Sequence, residues 1–253
     1  MEPQPSSLAE YFDGWYADMT ASPVVDRIHQ RHLGLPPHLL SASLLGREGI
    51  AEAVAELRLP AGARLVDLAC GRGGYGLEIA ARTGAQLVGV DFSAEAVRQA
   101  REHARRVGAE AEFRLGDLAA TGLDAGSADA VLCIDAIQFA PQPAAAYREI
   151  ARILTSGGRA VLTCWEPLER DDERVPERLR RVDLGAGLTA TGLRDVEVYD
   201  RPGWRAQEHA MWQEAAALDP GNDPALRSFH DEGVRTLEIF ALFRRVIATA
   251  TAP

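Results

Sequence analysis

The chain has 253 residues, a net charge of −10, and is 47% hydrophobic and 25% charged. These ordinary globular proportions exclude a disordered, collagen-like or disulfide-scaffold chain and suit one α/β domain with elaborations. Net acidity without a basic run argues against a nucleic-acid partner, whose phosphates need clustered cations. No stretch approaches the roughly 20 apolar residues of a membrane span. The opening MEPQPSSLAEYFDGW lacks a basic start followed by an apolar run. No membrane partner and a cytoplasmic location are therefore expected.

Residues 8–59 read as helical and loop material, broken at Pro36-Pro37. Gly49–Leu59 alternates apolar and charged residues at helical spacing. Residues 1–59 are expected to form an N-terminal helical cap, and 60–253 the main domain. From residue 63 the pattern becomes strand, turn, helix, repeated. Ala63–Cys70 is a short apolar strand, followed by the turn GRGGYG and a helix closed by Gly84. Ala85–Asp91 is a second strand. Ser93 is the predicted N-cap of a helix ending at Gly108. Its charge density suggests that His103 is solvated there. A third strand ends at Asp117, a fourth covers Ala130–Ile134, and a fifth, Arg159–Trp165, follows an amphipathic helix.

Such alternation argues for right-handed βαβ units and a parallel sheet. The charge run Glu169–Asp183 reads as a solvated loop and helix face, or as a lid over a nearby site. A sixth strand around Val196–Asp200 and a last one, Arg244–Ala252, flank two helical stretches. These read as a helical insertion at about 203–240, far longer than a hairpin needs.

The chemistry lies in Asp67-Leu-Ala-Cys-Gly71-Arg-Gly73-Gly-Tyr-Gly76. The three glycines satisfy G-x-G-x-x-G between a strand and a helix, letting the backbone turn tightly against a ligand. Asp91 ends the next strand at the spacing of a carboxylate that grips ribose hydroxyls. NAD enzymes share this pattern. Against them stands Asp67, inside strand one where dehydrogenases are apolar; a carboxylate there suits an ammonium-bearing ligand. Gly116-Asp117 closes strand three, where a carboxylate can accept from an adenine amino group. The block from Asp129 to Trp165 completes the pattern.

At these residues the chain resembles the class I S-adenosylmethionine-dependent methyltransferases, in detail over about 60–166. The sharper resemblance is to bacterial small-molecule enzymes of secondary metabolism. It implies a Rossmann-like, doubly wound seven-stranded sheet with its last strand antiparallel. It implies S-adenosylmethionine over the carboxyl ends of strands one, two and four. Asp67, Ala69, Gly71 and Gly73 would line the methionine end. Asp91 would take the ribose hydroxyls, with Phe92 against adenine and Asp117 and Leu118 at its edge. Cys133 would present a strand-four carbonyl, Gln138 stands where histidine is frequent, and Ser43 would approach the cofactor.

The acceptor is then expected to be a small, apolar or aromatic molecule bound near Trp15, Trp165 and Trp212. His209, Glu166 and Gln138 are the candidate catalytic groups. Cys70, Cys133 and Cys164 show no zinc spacing and read as small core residues, so no metal is expected. Two alternatives stay open: a protein of this fold with a non-methylating role such as a cyclisation, and an NAD-dependent oxidoreductase.

Overall fold

A computed structural model describes residues 5–253, with side chains from Leu8 onward. Three helices precede the first strand: α1 (Pro5–Ala21), α2 (Pro23–Leu33) and α3 (Arg47–Leu57). Then follow β1 (Arg64–Leu68), α4 (Gly74–Thr83), β2 (Gln86–Asp91), α5 (Ala94–Val107), β3 (Ala111–Leu115) and β4 (Ala128–Ile134). The second half runs α6 (Pro143–Ile153), β5 (Leu154–Pro167), α7 (Glu177–Arg180), α8 (Leu184–Thr189) and β6 (Arg194–Asp200). It closes with α9 (Pro202–Ala217), α10 (Pro224–Ile239) and β7 (Phe243–Thr251).

The strands form one sheet in the order β3-β2-β1-β4-β5-β7-β6. β7 runs antiparallel to both β5 and β6, and the remaining pairs are parallel. β1 pairs with β2 on one side and β4 on the other, so the winding reverses beside it. In open α/β sheets such a reversal leaves a crevice at the carboxyl ends of the strands.

Local chemistry explains the helix ends. Ser93 Oγ accepts the Ala96 N–H at 3.0 Å, capping α5, and Gly108 at φ 70° ends it. Strand alternation sorts the core into two faces. Leu65, Leu132 and Ile247 pack with residues of α1–α5, α9 and α10; Val66, Leu68 and Val131 pack with α6 and α8. Met19, Ile28 and Ile50 of the first helices share one apolar cluster with Trp204, Met211 and Phe229 of the inserted pair. The cap and the insertion thus cover the same sheet face together.

Three readings need adjustment. β3 stops at Leu115, because the chain turns at Asp117, which exchanges two backbone hydrogen bonds with Ala120. β5 begins at Leu154, directly after α6. His103 is not solvated but buried; its Nδ1 lies 3.1 Å from the Arg72 carbonyl. The stripe Ala96, Ala100, His103 and Ala104 is the inner face of α5, beneath charges that dominate its composition. Among the described residues, no helix is long and apolar enough to cross a membrane.

Candidate active site

After β1 the backbone enters the left-handed region three times, at Ala69 (φ 55°), Gly71 (φ 52°) and Gly73 (φ 76°). This turn directs the Gly71 N–H at Asp91 Oδ2, 2.8 Å away, while the Ser93 N–H donates to Asp91 Oδ1 at 2.9 Å. A side chain on Gly71 would meet the Tyr16 hydroxyl at 2.9 Å, so that glycine keeps the space beneath α1 open. The third glycine of the motif serves the acid in strand one: a Cβ on Gly76 would stand 2.6 Å from Asp67 Oδ2.

Asp67 is only 3% exposed. Burial, reinforced by the negative charge of Asp91, pushes its carboxyl up to about 8. Burial also raises Asp91, to about 6, against the N–H groups of Ser93 and Gly71. Two acids raised this far above their usual range thus share one crevice, the kind of perturbation that clusters at functional sites.

The crevice is one end of a cavity of about 1220 Å³. Asp67, Ala69, Gly71, Asp91 and Phe92 line that end, and Asp117 and Leu118 its edge. Ser43 also lines it, its hydroxyl donating to the Ile134 carbonyl at 3.4 Å. Gln138 lies on the wall, with Nε2 donating to the Asp135 carbonyl at 2.6 Å. Trp15, Trp165 and Trp212 make up its aromatic end, with Trp15 reaching back to Phe12 at 6.0 Å and Tyr16 at 5.0 Å. Arg178 and Leu179, from the charge run, also reach the wall.

Four proposed positions fall elsewhere. Gly73 is off the wall: a Cβ there would touch the Phe113 ring at 3.0 Å, so it serves helix–sheet packing. Cys133 lies fully buried in the cluster on the far face of the sheet, and Ile134, Asp135 and Ala136 line the cavity in its place. Glu166 follows Trp165 in β5 and therefore points to the opposite face. Its Oε1 accepts the Leu184 N–H at 2.8 Å and its Oε2 the Arg244 guanidinium at 2.7 Å, so it anchors structure. His209 does not share the cavity face with Trp212; it packs on the Phe240 ring, centroids 4.7 Å apart. Of the three thiols, Cys70 alone reaches the wall.

Two groups of functional positions escaped the sequence reading. The first is an aromatic roof from α1. Phe12 makes edge contacts with Phe92 at 5.5 Å and Phe139 at 5.3 Å, joining both banks of the crevice. Asp13 Oδ1 pins that helix to the start of α5, accepting from Ser93 Oγ at 2.5 Å and the Glu95 N–H at 3.1 Å. The second is a buried ionic chain under the aromatic end. Asp135, at φ 53°, accepts from Thr163 Oγ1 at 2.7 Å, the Leu44 N–H at 3.1 Å and Arg245 Nη2 at 2.6 Å. Arg245, fully buried, continues to Glu208 Oε1 at 2.7 Å and lies 5.7 Å from the Trp165 ring centre. Burial holds Glu208 up near 8 despite that partner. The arginine pair Arg244-Arg245 opening the last strand was the available signal, since alternation turns one of them inward and a buried cation requires a buried anion.

The strand order, the antiparallel last strand and the glycine loop facing an acid at the end of β2 define the class I methyltransferase architecture. Residues 66–162 match the family described as a methyltransferase domain. It is 41% identical over 162 residues to a ubiquinone biosynthesis O-methyltransferase of Xanthomonas axonopodis pv. citri, covering 63% of this chain and 64% of the relative. A counterpart of that name in Xanthomonas oryzae pv. oryzae is 40% identical over 106 residues, 41% of this chain and 43% of the relative. The matches thus span under two thirds of these curated relatives. Among solved structures, the [4+2]-cyclase SpnF superposes with a TM-score of 0.73 at 21% identity, covering 100% of this chain and 97% of that one. Phosphoethanolamine N-methyltransferase 2 of Haemonchus contortus, in complex with S-adenosyl-L-methionine, gives 0.73 at 19% identity, covering 94% and 60%.

Proposed function

We propose that the chain transfers a methyl group from S-adenosylmethionine to an oxygen, nitrogen or carbon nucleophile of a small apolar or aromatic metabolite. The observation that carries this is one cavity lined both by paired acids with an open glycine turn and by three tryptophans. The residues fit the cofactor. Asp91 suits two vicinal hydroxyls, Asp67 an ammonium group, and Phe92 with Asp117 an adenine ring and its amino group. When bound, S-adenosylmethionine supplies an electrophilic methyl on a sulfonium that leaves as a neutral thioether.

The protein's part is then largely geometric. Well-oriented reactants gain about 7–11 kcal/mol over free encounter. Phe12 covers part of the crevice between Phe92 and Phe139, and whatever water the bound reactants displace there strengthens the polar contacts inside. With Glu166 and His209 turned away, Gln138 is the one of the three candidate catalytic groups on the wall. An acceptor that ionises readily, such as an activated phenol, asks least of such a site. The names of the curated relatives favour oxygen as the methylated atom.

Calorimetric titration with S-adenosylmethionine, S-adenosylhomocysteine and NADH tests the reading. Tight binding of both adenosyl ligands, lost in Asp91→Ala, is expected. Binding of NADH alone would reassign the site to an oxidoreductase. A second reading, cyclisation on the same scaffold, draws on the full-length likeness to SpnF. It predicts product formation with no transfer of label from methyl-labelled cofactor.

A further inference from the structure

Beside the main cavity lies a small pocket of about 60 Å³. Trp15, Ala42, Leu44, Trp212 and Glu232 belong to the walls of both, so the pocket is a side chamber at the aromatic end. Its inner walls are apolar, from Met19, Val25, Ala225 and Phe229, with one exception: His29.

His29 is 5% exposed, and neither ring nitrogen has a hydrogen-bond partner. The Ser41 carbonyl is close enough to favour its charged form slightly, but makes no bond of acceptable geometry. Trp212 is 3% exposed, and its indole N–H is also without a partner. Both rings pack against Phe229, at 5.3 Å and 5.5 Å between centroids, so they share one aromatic neighbour at the chamber wall. Buried polar atoms in native folds are overwhelmingly paired, and each one left alone costs about 1–3 kcal/mol. Two such side chains on the wall of one chamber call for an occupant that bonds to both.

Their chemistry selects the occupant. Burial lowers His29 to about 4, so at neutral pH the ring is uncharged, with one donor and one acceptor nitrogen. The indole offers a donor only. Glu232, on the shared wall, is solvent-exposed. A carboxylate or phosphate would enter an apolar pocket with no fixed cation among its lining residues. An uncharged oxygen can accept from the indole and the imidazole together. The geometry points to a subsite that holds a carbonyl or hydroxyl oxygen of the acceptor, remote from the methylated atom, between Trp212 and His29. This rests on the methyl-transfer reading for the identity of the bound molecule, although the subsite is testable without any transfer. It would make the enzyme selective for an oxygenated tail on an otherwise apolar substrate.

The test uses the full chain and two probes of matched shape, cyclohexanone and methylenecyclohexane. ¹⁵N spectra resolve the tryptophan indole N–H signals, and Trp212→Phe assigns that of Trp212. Cyclohexanone is expected to shift the Trp212 signal and to bind at least fivefold more tightly than the hydrocarbon. Trp212→Phe and His29→Leu should each reduce that preference to below twofold. His29→Leu should also melt no lower than wild type, since it removes unpaired polar atoms from an apolar wall. Equal affinity for the two probes would overturn the proposal. So would a Trp212 signal that does not move at saturation, or an ordered water joining His29 to Trp212 that cyclohexanone fails to displace. Cofactor titration of the same samples reads the parent function separately. Ketone selectivity without cofactor binding keeps the subsite and removes the methyltransferase; the converse keeps the methyltransferase and removes the subsite.

Discussion

Asp67→Asn separates the acid's role in the site from its cost to the fold. Burial first, and the charge of Asp91 second, raise the Asp67 carboxyl from 3.8 to about 8. In the unfolded chain it ionises near its ordinary value. Between about pH 4 and pH 8 the folded protein therefore holds a proton that the unfolded protein has released. Stability falls as pH rises across that window and levels off above it. One pKa unit is worth about 1.4 kcal/mol, so the span from pH 5 to pH 8 sets a ceiling of about 4 kcal/mol. Coupling to Asp91 and relaxation of the site bring the expected figure to about 2–3 kcal/mol. Asparagine keeps the shape and does not titrate. Urea unfolding of both proteins at pH 5 and pH 8 should show the variant gaining about 2–3 kcal/mol on wild type over that interval. His29, lowered to about 4, acts oppositely: its contribution rises with pH from about 4 to 6.5. It is present in both proteins and cancels in the difference. The same variant should bind S-adenosylmethionine more weakly although it is more stable, the usual signature of a functional group held in an unfavourable setting. Parallel pH profiles for the two proteins would refute the reasoning.

Glu208→Ala leaves Arg245 fully buried with Asp135 as its remaining carboxylate, and should cost about 3–5 kcal/mol in a denaturant titration; Glu208→Gln, which can still accept from Nε, should cost less. Gly76→Ala drives a methyl to 2.6 Å from Asp67 Oδ2 and 3.0 Å from Leu87, and should lose about 1–3 kcal/mol. Gly14→Ala is the matched control: it meets nothing within 4 Å in helix α1 and should gain up to about 1 kcal/mol. Trp165→Ala and Trp212→Ala should each raise the acceptor KM while leaving cofactor affinity within twofold, and two unchanged KM values would remove the aromatic-acceptor reading.

The cofactor end was legible because its determinants are contiguous. Asp67, Gly71, Asp91 and Asp117 sit at the carboxyl ends of successive strands or just beyond them, so sequence spacing alone brings them to one edge. Facing is harder to read: Glu166 stands next to the wall residue Trp165, but a strand alternates sides at every residue, so its side chain points the other way. His103 shows the same problem on a helix, where surface charge outnumbered the buried stripe.

The acceptor end had no comparable local signature, because no segment of the chain contains it. Leu44, Asp135, Thr163, Glu208 and Arg245 come from a loop, a strand end, two strands and an inserted helix. They meet only because β7 inserts between β5 and β6, placing Arg245 opposite Trp165 and Arg244 opposite Glu166. That register gives the two adjacent arginines opposite duties. Arg244 reaches Glu166 near the surface, while Arg245 turns inward to two buried acids and stiffens the floor beneath the tryptophans. Glu166 was a candidate base in sequence, but its partner was fixed by an antiparallel pairing that the βαβ pattern does not encode. The antiparallel strand thus does more than complete the sheet. It carries the cation that ties β4, α9 and the loop before α3 into one rigid wall, against which an apolar acceptor can be held in line.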